Sequence, residues 1–139
     1  MMPCLEMSIP KLDRTTKEQL ASLITEAFAT STPFPAEIFE IRFFECPPGE
    51  AAIGGKLVDE RHPYIHFLLY CPRLKRSAKQ KLVASLTEAF TTATGRPDWK
   101  PIIHISEHPY DNVGIEGKLL SDAYEECAKR SFYYELPKE

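Results

Sequence analysis

Two arginines and one proline are the residues of this chain whose types and positions could do chemistry. Arg73 and Arg76 lie three residues apart at the start of a predicted helix, where the positive end of the helix dipole opposes cations. This unfavourable placement indicates an anionic ligand. Pro3 lies near the N-terminus. The alternative for all three is structural: the arginines are solvated charges at a helix start, and the proline leads into an edge strand.

An internal repeat indicates where these residues meet in the fold. The residues Thr-Glu-Ala-Phe at 25–28 return 62 positions later at 87–90, and Gly-Lys-Leu at 55–57 returns at 117–119. Between positions 10 and 57, about 19 of roughly 48 residues are identical at this offset, far above a chance match. A duplicated unit constrains the fold, and the positions where the copies differ point to the site.

Each copy of the repeat predicts a strand, a helix and a second strand. The strand candidates span residues 3–9, 38–45, 64–70 and 102–107, where apolar residues alternate or cluster between turn residues. A helix with an apolar stripe follows the first strand of each copy. Capping boxes are predicted at the two helix starts, formed by Thr15 with Glu18 and by Ser77 with Gln80.

These units predict an α+β fold in a single domain over residues 1–139. Each strand-helix-strand unit has parallel strands and a right-handed crossover. A pseudo-twofold between the units then gives a four-stranded mixed sheet with two helices on one face. Repeat one covers about residues 1–58 and repeat two about 63–120, with a C-terminal extension over 121–139. The other face of the sheet needs a cover, so we expect an oligomer.

The pseudo-twofold brings the proline and the arginines together. The first strands of the two copies run antiparallel as neighbours, which places Pro3 beside the end of the second copy's strand, next to Arg73 and Arg76. The matching positions at the opposite end of the sheet hold Ile65, Lys11 and Arg14. Only one end of the sheet therefore combines a proline with two guanidinium groups.

The composition excludes several classes of function. The net charge is −3 and the pI is about 5.8, so we expect neither nucleic-acid nor anionic-membrane partners. The apolar runs are strand-sized, and the start lacks a secretion signal. Cys4, Cys46, Cys71 and Cys127 form no close pair, which predicts reduced thiols in a cytoplasmic protein. Neither the cysteines nor the four histidines have a metal-ligand spacing, so no metal is expected.

Two segments resemble the tautomerase superfamily. They are Arg-Ser-Ala-Lys-Gln-Lys at 76–81 and Glu-His-Pro-Tyr-Asp-Asn-Val-Gly-Ile-Glu-Gly at 107–117, together with the early proline. The chain length is similar to that of fused two-unit members, in the 4-oxalocrotonate tautomerase and cis-3-chloroacrylic acid dehalogenase groups. The resemblance implies a homotrimer and cofactor-independent catalysis by an N-terminal proline.

The resemblance also assigns roles to residues. Pro3 would act as general base, because nearby cations and an apolar pocket disfavour its protonated form. Arg73 and Arg76 would bind the carboxylate of a small enol or 2-keto acid and stabilise enolate charge. The predicted catalytic residues are therefore Pro3, Arg73 and Arg76.

Three further positions are predicted to bind substrate, and they depart from the dehalogenase pattern. His104 lies in the region of that group's substrate-binding tyrosine, Phe28 replaces a histidine, and Ile115 replaces the glutamate that activates water. Loss of that carboxylate favours enol–keto tautomerisation over hydration or dehalogenation. Decarboxylation of a small 3-oxo acid needs less water activation and remains an alternative.

The residues before the proline set a condition on this chemistry. The chain begins Met1-Met2-Pro3, and aminopeptidases remove an initiator methionine when the next residue is small. If Met2 remains attached, the Pro3 nitrogen is a tertiary amide that cannot accept a proton. The alternative hypothesis is then a non-catalytic oligomeric homologue that binds small carboxylates.

Overall fold

Two strand-helix-strand units, each followed by a short hairpin, make up the computed structural model, which describes residues 3–123. The first unit and its hairpin comprise β1 (Cys4–Ile9), α1 (Arg14–Ser31), β2 (Glu40–Glu45), β3 (Ala52–Ile53) and β4 (Lys56–Leu57). The second comprises β5 (His66–Cys71), α2 (Arg76–Thr94), β6 (Ile102–Glu107), β7 (Gly114–Ile115) and β8 (Lys118–Leu119), followed by the single turn α3 (Leu120–Ala123). Most of the predicted C-terminal extension, including Cys127, lies outside the described residues.

The four long strands form one mixed sheet in the order β2-β1-β5-β6. The outer pairs, β1 with β2 and β5 with β6, are parallel, whereas the central pair, β1 with β5, is antiparallel. In that central pair Glu6 lies opposite Leu68, its own counterpart in the repeat. The pseudo-twofold axis therefore passes through this residue pair. The predicted α+β fold with a four-stranded mixed sheet is confirmed.

The core lies between the sheet and the two helices. Side chains alternate along a strand, and the odd-numbered residues of β1 and β5 face α1 and α2. The sheet contributes Leu5, Met7, Ile9, Phe67, Leu69 and Cys71, and the helices contribute Leu20, Ile24, Phe28, Leu82, Leu86 and Phe90, all fully buried. Each buried Leu, Ile or Phe side chain stabilises the fold by roughly 1.5–3 kcal/mol. The even-numbered residues form the opposite, open face.

The predicted capping boxes are wrong at both helices. Helix α1 begins one residue before Thr15, and the side chain of Asp13 accepts a hydrogen bond from the Thr16 N–H at 2.7 Å. Helix α2 begins at Arg76, and its N-cap residue, Lys75, forms no side-chain capping bond. Asp13 lies upstream of Thr15, so the chain turns into the helix before Thr15 can act as the cap.

The strand boundaries shift slightly from the prediction, and the hairpins were not predicted. Strand β2 begins at Glu40 because a 3₁₀ turn occupies Ala36–Ile38, and β5 covers 66–71 rather than 64–70. Gly54-Gly55 turns the first hairpin, and Glu116-Gly117 turns the second. Glu116 has a positive φ of 50°, a conformation that glycine adopts more readily.

No helix within residues 3–123 has the length and apolar character needed to cross a membrane.

A glutamate at the end of the second strand of each repeat ties the sheet to the following segment. Glu107 accepts hydrogen bonds from the Leu74 N–H at 2.7 Å and from Lys79 Nζ at 2.9 Å. Its counterpart, Glu45, lies 3.9 Å from Lys17 Nζ. The side chain of Glu107 is 19% exposed and that of Glu45 46%. The same ion pair therefore recurs in both copies but is shielded from water only in the second.

Replacing Glu107 with alanine should lower the free energy of unfolding by about 2 kcal/mol. The substitution leaves a backbone N–H and a partly buried ammonium without their acceptor. The matched control is Glu45→Ala, which should cost less than about 1 kcal/mol because that pair is longer and more exposed. Urea denaturation followed by circular dichroism measures both, and equal losses would contradict this account of Glu107.

Candidate active site

Pro3 lies at the end of the sheet where β1 and β2 begin and β5 and β6 finish, called here the Pro3 end. Pro3 is buried, and its carbonyl accepts a hydrogen bond from the Glu40 N–H at 3.0 Å. Cys4 pairs with Tyr70 in the antiparallel register, so Pro3 comes level with Cys71, the last residue of β5. The backbone of Pro3 is thereby fixed by β2 on one side and placed beside β5 on the other.

The two predicted arginines lie in the segment that directly follows β5 in the chain. Cys71 is succeeded by Pro72 and Arg73, and α2 begins at Arg76. Both guanidinium side chains belong to exposed residues. The hydrogen bond from the Leu74 N–H to Glu107 anchors the connection that carries them. The structure thus brings Pro3 and the segment 72–76 to the same end of the sheet.

The two helix starts differ in charge in a way that favours an anion at the Pro3 end. At the opposite end, α1 is capped by Asp13, and Arg14 forms an ion pair with Glu18 at 3.0 Å. The bond from the Thr16 N–H lowers the pKa of Asp13, so this cap stays negatively charged. At the Pro3 end the counterparts of Asp13 and Glu18 are Lys75 and Gln80.

Two acidic positions of the first repeat are therefore basic or neutral in the second. The first turn of α2 contains no acidic residue, and its N–H groups receive no side-chain cap. Arg76 has no ion-pair partner among residues 3–123. Uncapped N–H groups beside cations form the kind of surface that binds carboxylates.

Cys71 and His108 also lie at the Pro3 end. Burial raises the pKa of the Cys71 thiol to about 12, with a further contribution from Glu107, so the thiol is protonated at neutral pH. The His108 N–H donates to the Cys71 carbonyl at 3.0 Å, and burial lowers the pKa of the His108 imidazole. Sequence reasoning missed His108 as a site residue, because its place beside Cys71 follows from the strand register alone.

Of the predicted substrate-binding residues, Phe28 is connected to this end through Phe39, and Ile115 packs against the core. Phe28 is fully buried and stacks on Phe39 at a ring-centroid distance of 4.1 Å. Phe39 precedes Glu40, the residue that binds the Pro3 carbonyl, so Phe28 supports the wall next to Pro3. Ile115, in the hairpin that follows β6, is half-buried and packs against the core.

The third predicted substrate-binding residue, His104, is not near Pro3 within one chain. It lies on β6 three residues before Glu107 and is an even-numbered residue on the open face. Its Nδ1 lies 2.6 Å from Nε2 of His66 on the neighbouring strand. Only one of these two nitrogens can donate the shared proton. A role for His104 at Pro3 would have to come from a neighbouring copy of the chain.

Comparison with known proteins identifies the fold. A family model described as tautomerase enzyme matches residues 63–123. F6 fused 4-OT, described as a wild-type asymmetric trimer, is similar with a TM-score of 0.77 and 23% identity over 86% of this chain and 98% of that chain. Pt0534 inactivated by 2-oxo-3-pentynoate gives a TM-score of 0.75 and 21% identity over 86% and 97%.

A third structure comes from the dehalogenase side of the resemblance. N1, a member of the cis-3-chloroacrylic acid dehalogenase family, gives a TM-score of 0.71 and 19% identity over 84% of this chain and 82% of that chain. No curated protein matches the sequence. The predicted tautomerase-superfamily resemblance is confirmed. The family match covers the second repeat, which supplies Arg73, Arg76 and Ile115 in this tautomerase-like chain.

The stability of the chain should fall as the pH drops below about 6.5, the ordinary pKa of histidine. The pKa of His66 is lowered in the folded state, mainly by burial and to a smaller extent by the charge of His104. Between the folded and the unfolded pKa, the unfolded chain binds more protons than the folded chain, so stability rises with pH through this window. Urea midpoints measured at about pH 7.5 and about pH 5 test this dependence.

The variant His66→Gln should reduce this pH dependence, because it removes the titrating ring that faces His104. The matched control is His62→Gln, since His62 is exposed and lies near Asp59 at 3.5 Å rather than against another histidine. A variant at position 66 that retained the full dependence would show that the histidine pair is not its source.

Proposed function

We propose that this chain is a cofactor-independent tautomerase that acts on a small enol or 2-keto carboxylate, with Pro3 as general base. The observation that supports this most directly is the asymmetry between the two ends of the sheet. The Pro3 end combines the proline with Arg73, Arg76 and an uncapped helix N-terminus. The opposite end has an aspartate cap and an arginine that is neutralised by a glutamate.

The reaction that this arrangement supports is a proton transfer from oxygen to carbon. The neutral Pro3 amine takes the enol hydroxyl proton as the carbonyl double bond forms, and the resulting ammonium delivers a proton to the carbon. Arg73 and Arg76 hold the substrate carboxylate and stabilise the negative charge of the enolate between these steps. The amine is neutral again after it has delivered the proton, so no other reactant is needed.

The proposal requires that Pro3 be the first residue of the mature chain. Its nitrogen otherwise forms an amide with Met2 and has no basic lone pair. Cys4, Cys46 and Cys71 are free thiols, which agrees with the proposed cytoplasmic location. Cations next to a free amine disfavour its protonated form, which would bring the pKa of that amine toward neutrality.

Tautomerisation is favoured over hydration by the residues of the second hairpin. Ile115 is a half-buried apolar side chain, and the resemblance aligns it with the glutamate that activates water in the dehalogenase group. The adjacent carboxylate, Glu116, is exposed at the tip of the turn with a φ of 50°. Neither residue provides a buried base for a water molecule, so a reaction that uses the proline alone suits the site better.

We further propose that the chain functions as a homotrimer. F6 fused 4-OT, a structure of the same fold, is described as a trimer. Large apolar side chains are exposed elsewhere on this chain, among them Phe44, Ile102 and Leu119, between 38% and 62%. Burial of such residues between copies would stabilise an oligomer. It would also allow the His104 of a neighbouring copy to reach the substrate.

The decisive experiment compares a chain that starts at Pro3 with its Pro3→Ala variant in the ketonisation of enol phenylpyruvate. Intact mass establishes the first residue of each preparation. We expect kcat/KM to fall at least about 100-fold in the variant, the typical contribution of a general base. Equal rates would refute the role of Pro3. A chain that binds carboxylates without turnover in either form would support the non-catalytic alternative.

Arg76→Ala should lower kcat/KM by roughly 100-fold, because the substrate carboxylate and the enolate lose a charged donor. The matched control is Arg14→Ala, the counterpart at the opposite end, where the guanidinium is paired with Glu18. That variant should retain the wild-type rate. Equal effects of the two substitutions would indicate a general electrostatic contribution instead of a carboxylate site.

Covalent labelling tests the free amine independently of turnover. The inactivator of Pt0534, 2-oxo-3-pentynoate, is an activated alkyne that a neutral amine can attack, forming a nitrogen–carbon bond while the proton moves to the neighbouring carbon. We expect one adduct per chain, located on Pro3 by peptide mass spectrometry. An adduct located on a cysteine, instead of on the N-terminal amine, would show that the reagent reports another group.

A further inference from the structure

A cavity of about 540 Å³ lies at the end of the sheet opposite Pro3, called here the Ile65 end. It opens between the β3–β4 hairpin and the starts of β5 and β6. Its apolar lining includes Ile53, Val58, Ile65 and Trp99. The volume lies within the range of pockets that bind small organic molecules.

The repeat makes this cavity the counterpart of the surroundings of Pro3. At the offset of 62 residues, Ile65 corresponds to Pro3, Ile53 to Ile115 and Val58 to Leu120. Ile65 is an internal residue, so its nitrogen belongs to an amide and cannot act as the basic amine proposed for Pro3. Its side chain is apolar. The cavity therefore keeps an apolar lining that could hold a substrate-like molecule but lacks the base that would transform it.

The charged residues around the cavity favour an anion. The lining contains three cationic side chains, Lys56, Arg61 and Lys100, and two carboxylates. The two oxygens of Asp98 accept hydrogen bonds from Arg96 at 3.1 and 2.9 Å, which also lowers the pKa of Asp98. This carboxylate is therefore already paired with a cation from outside the lining.

The second carboxylate, that of Asp59, already accepts hydrogen bonds. Asp59 Oδ1 accepts the backbone N–H groups of Arg61 and His62 at 2.9 and 2.7 Å. Within residues 3–123, by contrast, neither Lys56 nor Lys100 forms an ion pair. The lining therefore carries three cations against two carboxylates, and the ammonium groups of Lys56 and Lys100 are available to a bound anion.

Trp99 is the aromatic residue of the same lining. Arg96 lies over its ring at 4.5 Å from the centroid, and Phe90 stacks on it at 6.5 Å, so the indole is held in place. Its Nε1 is buried and has no hydrogen-bond partner within the described part of the chain. Trp99 therefore contributes a fixed aromatic surface to the lining.

We propose that the cavity at the Ile65 end is a second binding site, which holds a small apolar carboxylate without turning it over. The apolar part of the ligand would pack against Ile53, Val58 and Ile65. Its carboxylate would bind Lys56 and Lys100. The site does not depend on Pro3, so it would remain even if the proposed catalysis were absent.

The chain contains one tryptophan, and because it lines this cavity its fluorescence reports binding here. The probe is 3-cyclohexylpropanoate, which does not absorb where tryptophan is excited, and the matched neutral probe is 3-cyclohexylpropanamide. We expect the acid to change the emission saturably, with a dissociation constant below about 10 mM, and the amide to bind at least about tenfold more weakly. The indole N–H resonance in a proton–nitrogen NMR spectrum should shift over the same range.

Variants assign the response to this cavity. Lys56→Met combined with Lys100→Met should weaken binding at least about tenfold, since the charged hydrogen bonds are lost. Lys118→Met, the counterpart of Lys56 in the other hairpin, should bind as the wild type does. The response should also persist in the combined Arg73→Ala and Arg76→Ala variant, which removes the anion site at the Pro3 end.

Two results would overturn the proposal. One is the absence of a saturable change in both the fluorescence and the NMR spectrum up to about 10 mM acid. The other is a response that the Lys118→Met variant weakens as much as the Lys56 and Lys100 variants do. Circular dichroism of each variant verifies the fold. Loss of ketonisation in Pro3→Ala with an unchanged Trp99 response would separate the two sites.

Discussion

The antiparallel pairing of β1 with β5 is the interaction on which the rest of the structure depends. It joins the two repeats through their equivalent strands, with Glu6 opposite Leu68 at the axis. The buried residues on one side of this pair, from Leu5 to Cys71, face both helices. Because the pairing is symmetric, it creates two ends with the same backbone, and any chemical difference between them must come from side chains.

The side chains at the two helix starts create that difference. A cap and an ion pair, supplied by Asp13 and Glu18, neutralise one end. Their replacement by Lys75 and Gln80 leaves the other end positive at a helix N-terminus, which costs about 0.3–1 kcal/mol for each cation. The shielded Glu107 stabilises the same segment through Leu74 and Lys79. The structure thus holds in place an arrangement of charges that α2 alone would disfavour and that an anionic ligand would stabilise.

The sequence predicted the long elements of this fold well, because the duplication constrained them twice. Strand β6 occupies its predicted range, and the pseudo-twofold placed Pro3 at the end that carries Arg73. The predicted cap of α1 was wrong because Asp13 competes with Thr15 from two residues upstream, and that of α2 was wrong because the helix begins at Arg76, before Ser77. The hairpins were missed because each strand has only two residues, too few for a period to be visible.

The contacts that the sequence could not predict are those that depend on register. His66 and His104 are 38 residues apart and meet because parallel strands β5 and β6 bring them diagonally together. His108 joins the Pro3 end through the hydrogen bond of its N–H to the Cys71 carbonyl. Neither pair has a local signature, since neither involves a turn, a cap or a helical spacing. The cavity at the Ile65 end is a similar case, because it combines the first hairpin, the linker before β5 and the residues that precede β6.

The alternation of side chains limits what one chain can place near its own proline. Pro3 is odd-numbered and belongs to the helix side of β1, where Cys71 and Phe39 are its neighbours, whereas His104 belongs to the open face. A one-residue change of register would exchange these faces and expose the core. Pro3 and His104 of one chain therefore stay on opposite faces as long as the fold is intact. Polar groups of residues 3–123 other than the arginines can therefore reach the Pro3 site in two ways. They come from the segment around His108, or they come from the open face of another copy.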